Sequence, residues 1–214
     1  MDVRTKEAVR YLGYGNHAID DRMLALISNS FQELEKAAGG RIVYRIFDVS
    51  LEAKDCLSIG TLKIKSRNLW RNLKSCEKAY ILGATLGVGV DALLRRYSLT
   101  DMARVVILQA CAAAMLEEYL DCCQEELRRE QEEEGYFLRP RFSPGYGDFS
   151  IKHQEQILRM LDAPKKIGLS LTDGNMLTPS KSVTAIIGLS RINIPCHVQS
   201  CESCEKIDCN YRRI

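Results

Sequence analysis

The sequence predicts an α+β protein built on a mainly antiparallel twisted sheet flanked by helices, with one long central helix. Three observations predict it. Strand-like and helix-like segments alternate irregularly rather than as repeated strand-helix units, which disfavours a doubly wound sheet. Residues 79–86, Ala-Tyr-Ile-Leu-Gly-Ala-Thr-Leu, form an apolar run with the length and flanks of a buried strand. Residues 100–134 contain neither proline nor glycine and carry apolar side chains at helical spacing.

After a lead-in ending at Tyr14-Gly15-Asn16, residues 20–38 place Met23, Leu24, Ile27, Phe31, Leu34 and Ala38 three and four positions apart. That spacing predicts an amphipathic helix. Asp20 or Asp21 is its N-cap, because a short carboxylate accepts from the first helical amides, and Gly39-Gly40 is its stop. Residues 41–51 hold Ile42, Val43, Tyr44, Ile46, Phe47 and Val49, the β-branched and aromatic content of a strand. Residues 57–64 alternate like a second strand, 68–76 form a short helix, and Gly87-Val88-Gly89 follows the buried strand into another helix.

In the long helix, Ala110-Cys111-Ala112-Ala113-Ala114 lets another backbone approach closely, whereas residues 125–134 are dense in charge and form a solvated end. A helix over 151–161 and strands over 166–171 and 182–189 complete the body. The expected division is a body of residues 1–194 and a cysteine-rich tail of residues 195–214.

The chain has 214 residues, 46% hydrophobic and 27% charged, with 30 basic against 28 acidic side chains. A net charge of +2 gives no field that would favour nucleic acid or an acidic membrane surface, so neither is an expected partner. The charged N-terminal residues lack the apolar run of a signal peptide, and no stretch has the length of a spanning helix. The expected location is the cytoplasm, where nine cysteines argue against a disulfide framework.

Gly83-Ala84-Thr85-Leu86-Gly87-Val88-Gly89 resembles a phosphate loop only superficially, since it lacks the Gly-Lys-Ser/Thr ending that supplies the phosphate lysine. A close-packed turn into a helix is the reading adopted. Residues 139–148, Arg-Pro-Arg-Phe-Ser-Pro-Gly-Tyr-Gly-Asp, are different: two prolines and two glycines fix an extended loop. Arg139 and Arg141 could pair a carboxylate in forked geometry, and Tyr146 offers a ring face and a hydroxyl. From its residues alone this segment is either a ligand-holding loop or a tight connection carrying surface arginines.

Cys196, Cys201, Cys204 and Cys209 follow spacings x4, x2 and x4. Four thiolates so close together suit zinc or an iron-sulfur cluster; a redox-active dithiol and cysteines of no joint function are the other readings. Cys56, Cys76, Cys111, Cys122 and Cys123 show no partner spacing and are expected as buried small hydrophobes. His17 and His153 are isolated, and no Ser-His-Asp or paired-carboxylate arrangement can be read.

Arg141-Phe142-Ser143-Pro144-Gly145-Tyr146 resembles the Arg-x-x-Pro-Gly-Tyr loop of the activation domain of cobalamin-dependent methionine synthase. The order of features agrees with it. A long helix with Glu118-Tyr119-Leu120 precedes the loop, and Met176-Leu177-Thr178-Pro179-Ser180-Lys181-Ser182-Val183 follows it. These motifs cover the C-terminal half, and the N-terminal half is similar in its plan of elements.

The resemblance implies the activation-domain fold and a role in returning an oxidised corrinoid enzyme to its methylated state, with S-adenosylmethionine as methyl donor. It implies cobalamin carried by a partner methionine synthase, and a reductase or low-potential electron donor. It also assigns residues: Arg141 to the donor's carboxylate, Pro144, Gly145 and Tyr146 to the pocket, and Tyr146 to the corrinoid face. Ala114 stands where full-length synthases carry a glutamate for the donor's amino group, and Glu117 or Glu118 is expected to substitute only with the helix rotated. Thr184-Ala185-Ile186-Ile187 replaces their aromatic cluster. The alternative is a corrinoid-protein docking module whose four-cysteine tail carries a metal or iron-sulfur cluster and delivers an electron, with no S-adenosylmethionine bound.

Overall fold

The structure is a computed structural model, and it describes residues 1–14, 19–53 and 55–193. Helices α1 (Val3–Tyr11) and α2 (Asp21–Ala37) lead into strand β1 (Arg41–Leu51), the hairpin of β2 (Cys56–Ile59) and β3 (Leu62–Lys65), and helix α3 (Arg67–Asn72). Strand β4 (Cys76–Thr85), helix α4 (Val88–Ser98) and the 32-residue helix α5 (Met102–Glu133) follow. The short strand β5 (Phe137–Leu138) precedes a 3-10 turn at Ile151–His153 that runs into α6 (Gln154–Leu161). Helix α7 (Ala163–Ile167), the small hairpin of β6 (Ser170–Leu171) and β7 (Leu177–Thr178), and strand β8 (Ser182–Ser190) close the described chain. No helix among the described residues is long and apolar enough to cross a membrane.

The chain divides into two compact units, the first comprising Met1–Gly40 and Leu86–Cys122 among the described residues. Its helices are capped as their sequences demand. Asp2 accepts from the Thr5 amide at 2.7 Å and Asp20 from the Met23 amide at 2.7 Å, satisfying donors that have no partner inside the helix. Ile27, Phe31 and Leu34 of α2, Val90, Leu93 and Leu94 of α4, and Leu108, Cys111, Ala112 and Leu116 of α5 are buried. The small side chains of α5 do what their size allows: the Cys111 sulfur reaches within 3.9 Å of the Ile27 carbonyl oxygen. Gly87, at φ +85°, forms the N-cap of α4, and a Cβ on Gly89 would lie 2.1 Å from the Ala37 carbonyl oxygen. Close backbone approach is thus the reason for glycine in this turn.

The second unit comprises Arg41–Thr85 and the described residues from Cys123 onward. Its six-stranded sheet has the order β3-β2-β1-β4-β8-β5 and is antiparallel at every pairing. The central strands pair Tyr44 with Leu82 and Ile81 with Ile186. One face buries Val43, Ile81 and Ile186 against Ile157, Leu161 and Ile167 from α6 and α7, with Leu69 of α3 and Phe149 in the same core. At about 25 cal/mol per Å2 of apolar surface, such burial is the main force holding the layers together.

The expected α+β class with an antiparallel sheet is the one found, and several boundaries differ. Residues 57–64 form two strands rather than one, turned at Gly60 with φ +55°. The apolar spacing of two, Leu57–Ile59 and then Leu62–Ile64, slips by one position at Gly60-Thr61, and that slip is the turn that returns both pairs to the core. The helix expected over 68–76 stops at Asn72, and Ser75 at φ +67° turns the chain so that Cys76 opens β4. Instead of a strand over 166–171, α7 ends at Gly168 with φ +70° and only Ser170–Leu171 is extended. Helix α1 escaped the sequence reading because only Ala8 and Val9 of it are buried, too few to show a period. The boundary expected between residues 194 and 195 lies outside the described residues.

Candidate functional site

The segment from β5 to α6 follows the outer side of β8 and then lifts away from it as a loop. β5 pairs Phe137 with Ser190 and Leu138 with Leu189, and the Arg139 amide donates to the Gly188 carbonyl at 2.8 Å. Phe142 and Ile186 exchange both backbone hydrogen bonds at 2.9 Å. Past this last rung the chain closes on itself. The Gly145 amide donates to the Phe149 carbonyl at 2.7 Å, the Tyr146 amide to the Ser143 carbonyl at 3.2 Å, and the Phe149 amide to the Tyr146 carbonyl at 3.0 Å. Gly145 adopts φ +93° and Gly147 φ +55°, conformations open to glycine at little cost. Phe149, 1% exposed, anchors the loop's base between Phe142 and a stacked His153. Burial holds the His153 imidazole below its ordinary pKa, consistent with a neutral packed ring.

These contacts sort the residues singled out from the sequence. Pro144 is buried at the base of the loop, and Tyr146 stands at its tip, 71% exposed. Arg141 is half-buried and donates from Nη1 to Gln124 Oε1 at 3.0 Å. Arg139, grouped with Arg141 in the sequence, has a different position. It is 6% exposed, donates to the Lys74 carbonyl at 3.2 Å and packs beside Gly188, so it serves the fold of the sheet edge. The amides of Gly145 and Tyr146 are engaged within the loop, so the contact of either residue with a ligand would come through its other groups.

Arg141, Pro144, Gly145 and Tyr146 belong to the second unit, whereas Glu117 and Glu118 lie on the part of α5 that belongs to the first. Within that first unit Glu118 Oε2 is 3.6 Å from Arg4 Nη1, Glu117 is half-buried, and Ala114 is 2% exposed. The charge of Glu118 already faces a guanidinium.

Sequence reasoning assigned no role to Asp148. Its Oδ1 accepts from the Ser66 hydroxyl at 2.5 Å and the Asn68 amide at 3.1 Å, and its Oδ2 from the Arg67 amide at 2.7 Å. Burial works against the charge, but the Ser66 hydroxyl and the Arg67 and Asn68 amides outweigh it and hold the carboxyl below its usual pKa. Its place at the end of the Pro- and Gly-rich loop was the available signal.

Among the described residues no group of three or more His, Cys, Asp or Glu side chains is placed to hold a metal ion. Cys196, Cys201, Cys204 and Cys209, and likewise His17, lie outside the described residues. Of the other cysteines, Cys76 and Cys111 are buried as expected and Cys56 and Cys123 half-buried, but Cys122 is exposed. It sits on the solvated side of α5, where helical spacing turns it away from the core. An open cavity of about 600 Å3 in the second unit, lined by Glu155, Arg159, Asp162, Thr172 and Asp173 among others, includes none of the residues expected to bind a ligand.

No protein-family model matches the chain, and no curated protein matches it in sequence. Among solved structures it is similar to a crystal structure of the MetH reactivation domain bound to AdoHcy, with a TM-score of 0.62. The identity is 17%, and the likeness covers 84% of this chain and 67% of that one. At this identity the likeness is one of fold: an α+β architecture of the reactivation-domain type.

Proposed function

We propose that this chain binds S-adenosylmethionine at the loop of Arg141, Pro144, Gly145 and Tyr146 and supports reductive methylation of cob(II)alamin on a methionine synthase, acting in trans. The observation that carries this reading is a half-buried guanidinium beside a loop whose shape is fixed at both ends, in a fold shared with a domain whose crystal structure holds AdoHcy. Arg141 matches a carboxylate bidentately, as a lysine would not. Tyr146 presents an exposed ring to whatever docks over the loop.

Cobalamin carried by the partner, once reduced by one electron from a low-potential donor, would supply the nucleophile that accepts the methyl group, and S-adenosylhomocysteine would be left at the loop of Arg141 to Tyr146. For this chain the work is holding the donor and docking; positioning of this kind supplies much of the rate in group transfer. Isothermal titration of the full chain with S-adenosylmethionine tests the reading. Saturable binding at one site, lost on Arg141→Ala, is expected; absence of binding overturns it. Reactivation of an oxidised synthase lacking its own activation domain, on addition of this chain, tests action in trans.

A second reading, a docking module that delivers an electron through a metal or cluster on Cys196, Cys201, Cys204 and Cys209, draws on Ala114 and the cysteine spacing. Binding of the methyl donor counts against it. Stoichiometric zinc, or iron with sulfide, in anaerobically purified protein supports its metal site, and four freely alkylated thiols would remove that site.

A further inference from the structure

Asp148 closes the donor loop, yet its carboxylate points away from the work the loop is assigned. Both oxygens are engaged by Ser66, Arg67 and Asn68 at the start of α3. The Arg67 and Asn68 amides open a helix and so have no partner within it. The Ser66 hydroxyl donates to Asp148 while accepting from the Leu69 amide at 3.1 Å, so one side chain links the helix cap to the loop. Steric fit repeats the connection, because a Cβ on Gly147 would run into the Asn68 side chain. Two polar ties therefore hold the loop, the Phe142–Ile186 rung on β8 and Asp148 on α3, beside the buried Phe149 at its base.

We propose that Asp148 is a positioning residue of the donor site. Its carboxylate, through Ser66 and the first amides of α3, sets the shape of residues 143–148, and that shape determines how well the loop holds an S-adenosyl ligand. Asp148 itself makes no contact with the ligand. The inference rests on the reading of Arg141 to Tyr146 as the donor loop. Without the carboxylate, the segment keeps the rung and the buried Phe149 but loses its polar tie to α3, and a ligand must then order more of the loop as it binds, which weakens affinity.

The test is calorimetric titration of the full chain with S-adenosylhomocysteine, read beside hydrogen exchange of the Gly145, Tyr146 and Phe149 amides. Asp148→Asn, nearly the same shape without the charge, should bind about tenfold more weakly, since charge-assisted hydrogen bonds are roughly twice as strong as neutral ones. The three loop amides should exchange faster in this variant. Ser66→Ala should reproduce the loss and Ser66→Thr, which keeps the hydroxyl, should not; these variants read the same contact if Asp148→Asn folds poorly. A residue serving stability alone would lower the melting temperature and leave affinity unchanged in protein that is still folded. Wild-type binding with equal affinity in Asp148→Asn and Ser66→Ala overturns the positioning role and leaves the donor loop standing. A wild type that does not bind overturns both.

Discussion

Arg141 donates to the neutral side-chain carbonyl of Gln124 at 3.0 Å, on the last turns of α5. A neutral acceptor yields more readily to an incoming carboxylate than a fixed carboxylate would, because charge-assisted pairs are the stronger kind. Gln124→Glu should therefore weaken binding of S-adenosylmethionine by placing a competing charge at the same acceptor. Arg141→Ala should weaken it by about 1.5–3 kcal/mol, the worth of a hydrogen bond to a charged group, with the fold intact. Titration calorimetry with melting curves checks both, and unchanged affinity in Arg141→Ala removes that residue from the site.

The fold was legible where one face of an element is buried and the other wet. Helices α2 and α5 follow their predicted ranges within a few residues, because Ile27, Phe31 and Leu34, or Leu108, Cys111 and Ala112, repeat at the period of their structure, and β1 does so on its β-branched and aromatic content. What failed were turns that leave little mark on the pattern. The spacing of two in Leu57–Ile59 and Leu62–Ile64 slips by a single position where Gly60-Thr61 turns the hairpin, and the positive φ of Ser75 is invisible in a residue type that rarely adopts it. At the site, proline and glycine marked the loop, but no pattern in the sequence separates Arg139, packed into the sheet edge, from Arg141 two residues on. Asp148 was missed because its partners lie about eighty positions away, at Ser66 and the following amides.

Gly89→Ala should be destabilising although alanine is the better helix former by about 1 kcal/mol. The added Cβ would sit 2.1 Å from the Ala37 carbonyl oxygen, a backbone atom that cannot swing aside like a flexible side chain. Overpacking of this kind costs about 1–3 kcal/mol, which exceeds the propensity gain. Chemical denaturation of the two proteins decides the sign, and a more stable variant would show that α2 and α4 do not approach so closely.

Cysteine reactivity should follow exposure. Cys111 is fully buried and its thiol pKa is pushed up to about 12 by burial, so little of the reactive thiolate exists at neutral pH. Cys122 is exposed on the same helix. Brief alkylation of the native protein, mapped by peptide mass, should modify Cys122 and spare Cys111 until denaturant is added. Equal rates at the two positions would contradict the packing of α5 against α2.

Acid should weaken the first unit through Glu33. Its carboxylate accepts from the Tyr97 hydroxyl and from Arg104 Nη2, each at 2.8 Å, with Arg96 Nη2 at 3.6 Å. Burial opposes the charge, but the Tyr97 and Arg104 hydrogen bonds and the positive charge of Arg104 and Arg96 outweigh it, so the folded-state pKa lies below the usual 4.5. A carboxylate lowered on folding contributes stability that is full above the unfolded pKa and fades as pH falls through the folded one. Glu33→Gln keeps the shape and loses the charge, which should cost about 1.5–3 kcal/mol at pH 7. Below about pH 4.5 the gap between wild type and variant should narrow, because the wild-type side chain is then being protonated toward the same neutral state. Denaturant titrations of both proteins from pH 7 to pH 3 measure it, and a gap independent of pH would show that the contribution of Glu33 does not come from its charge.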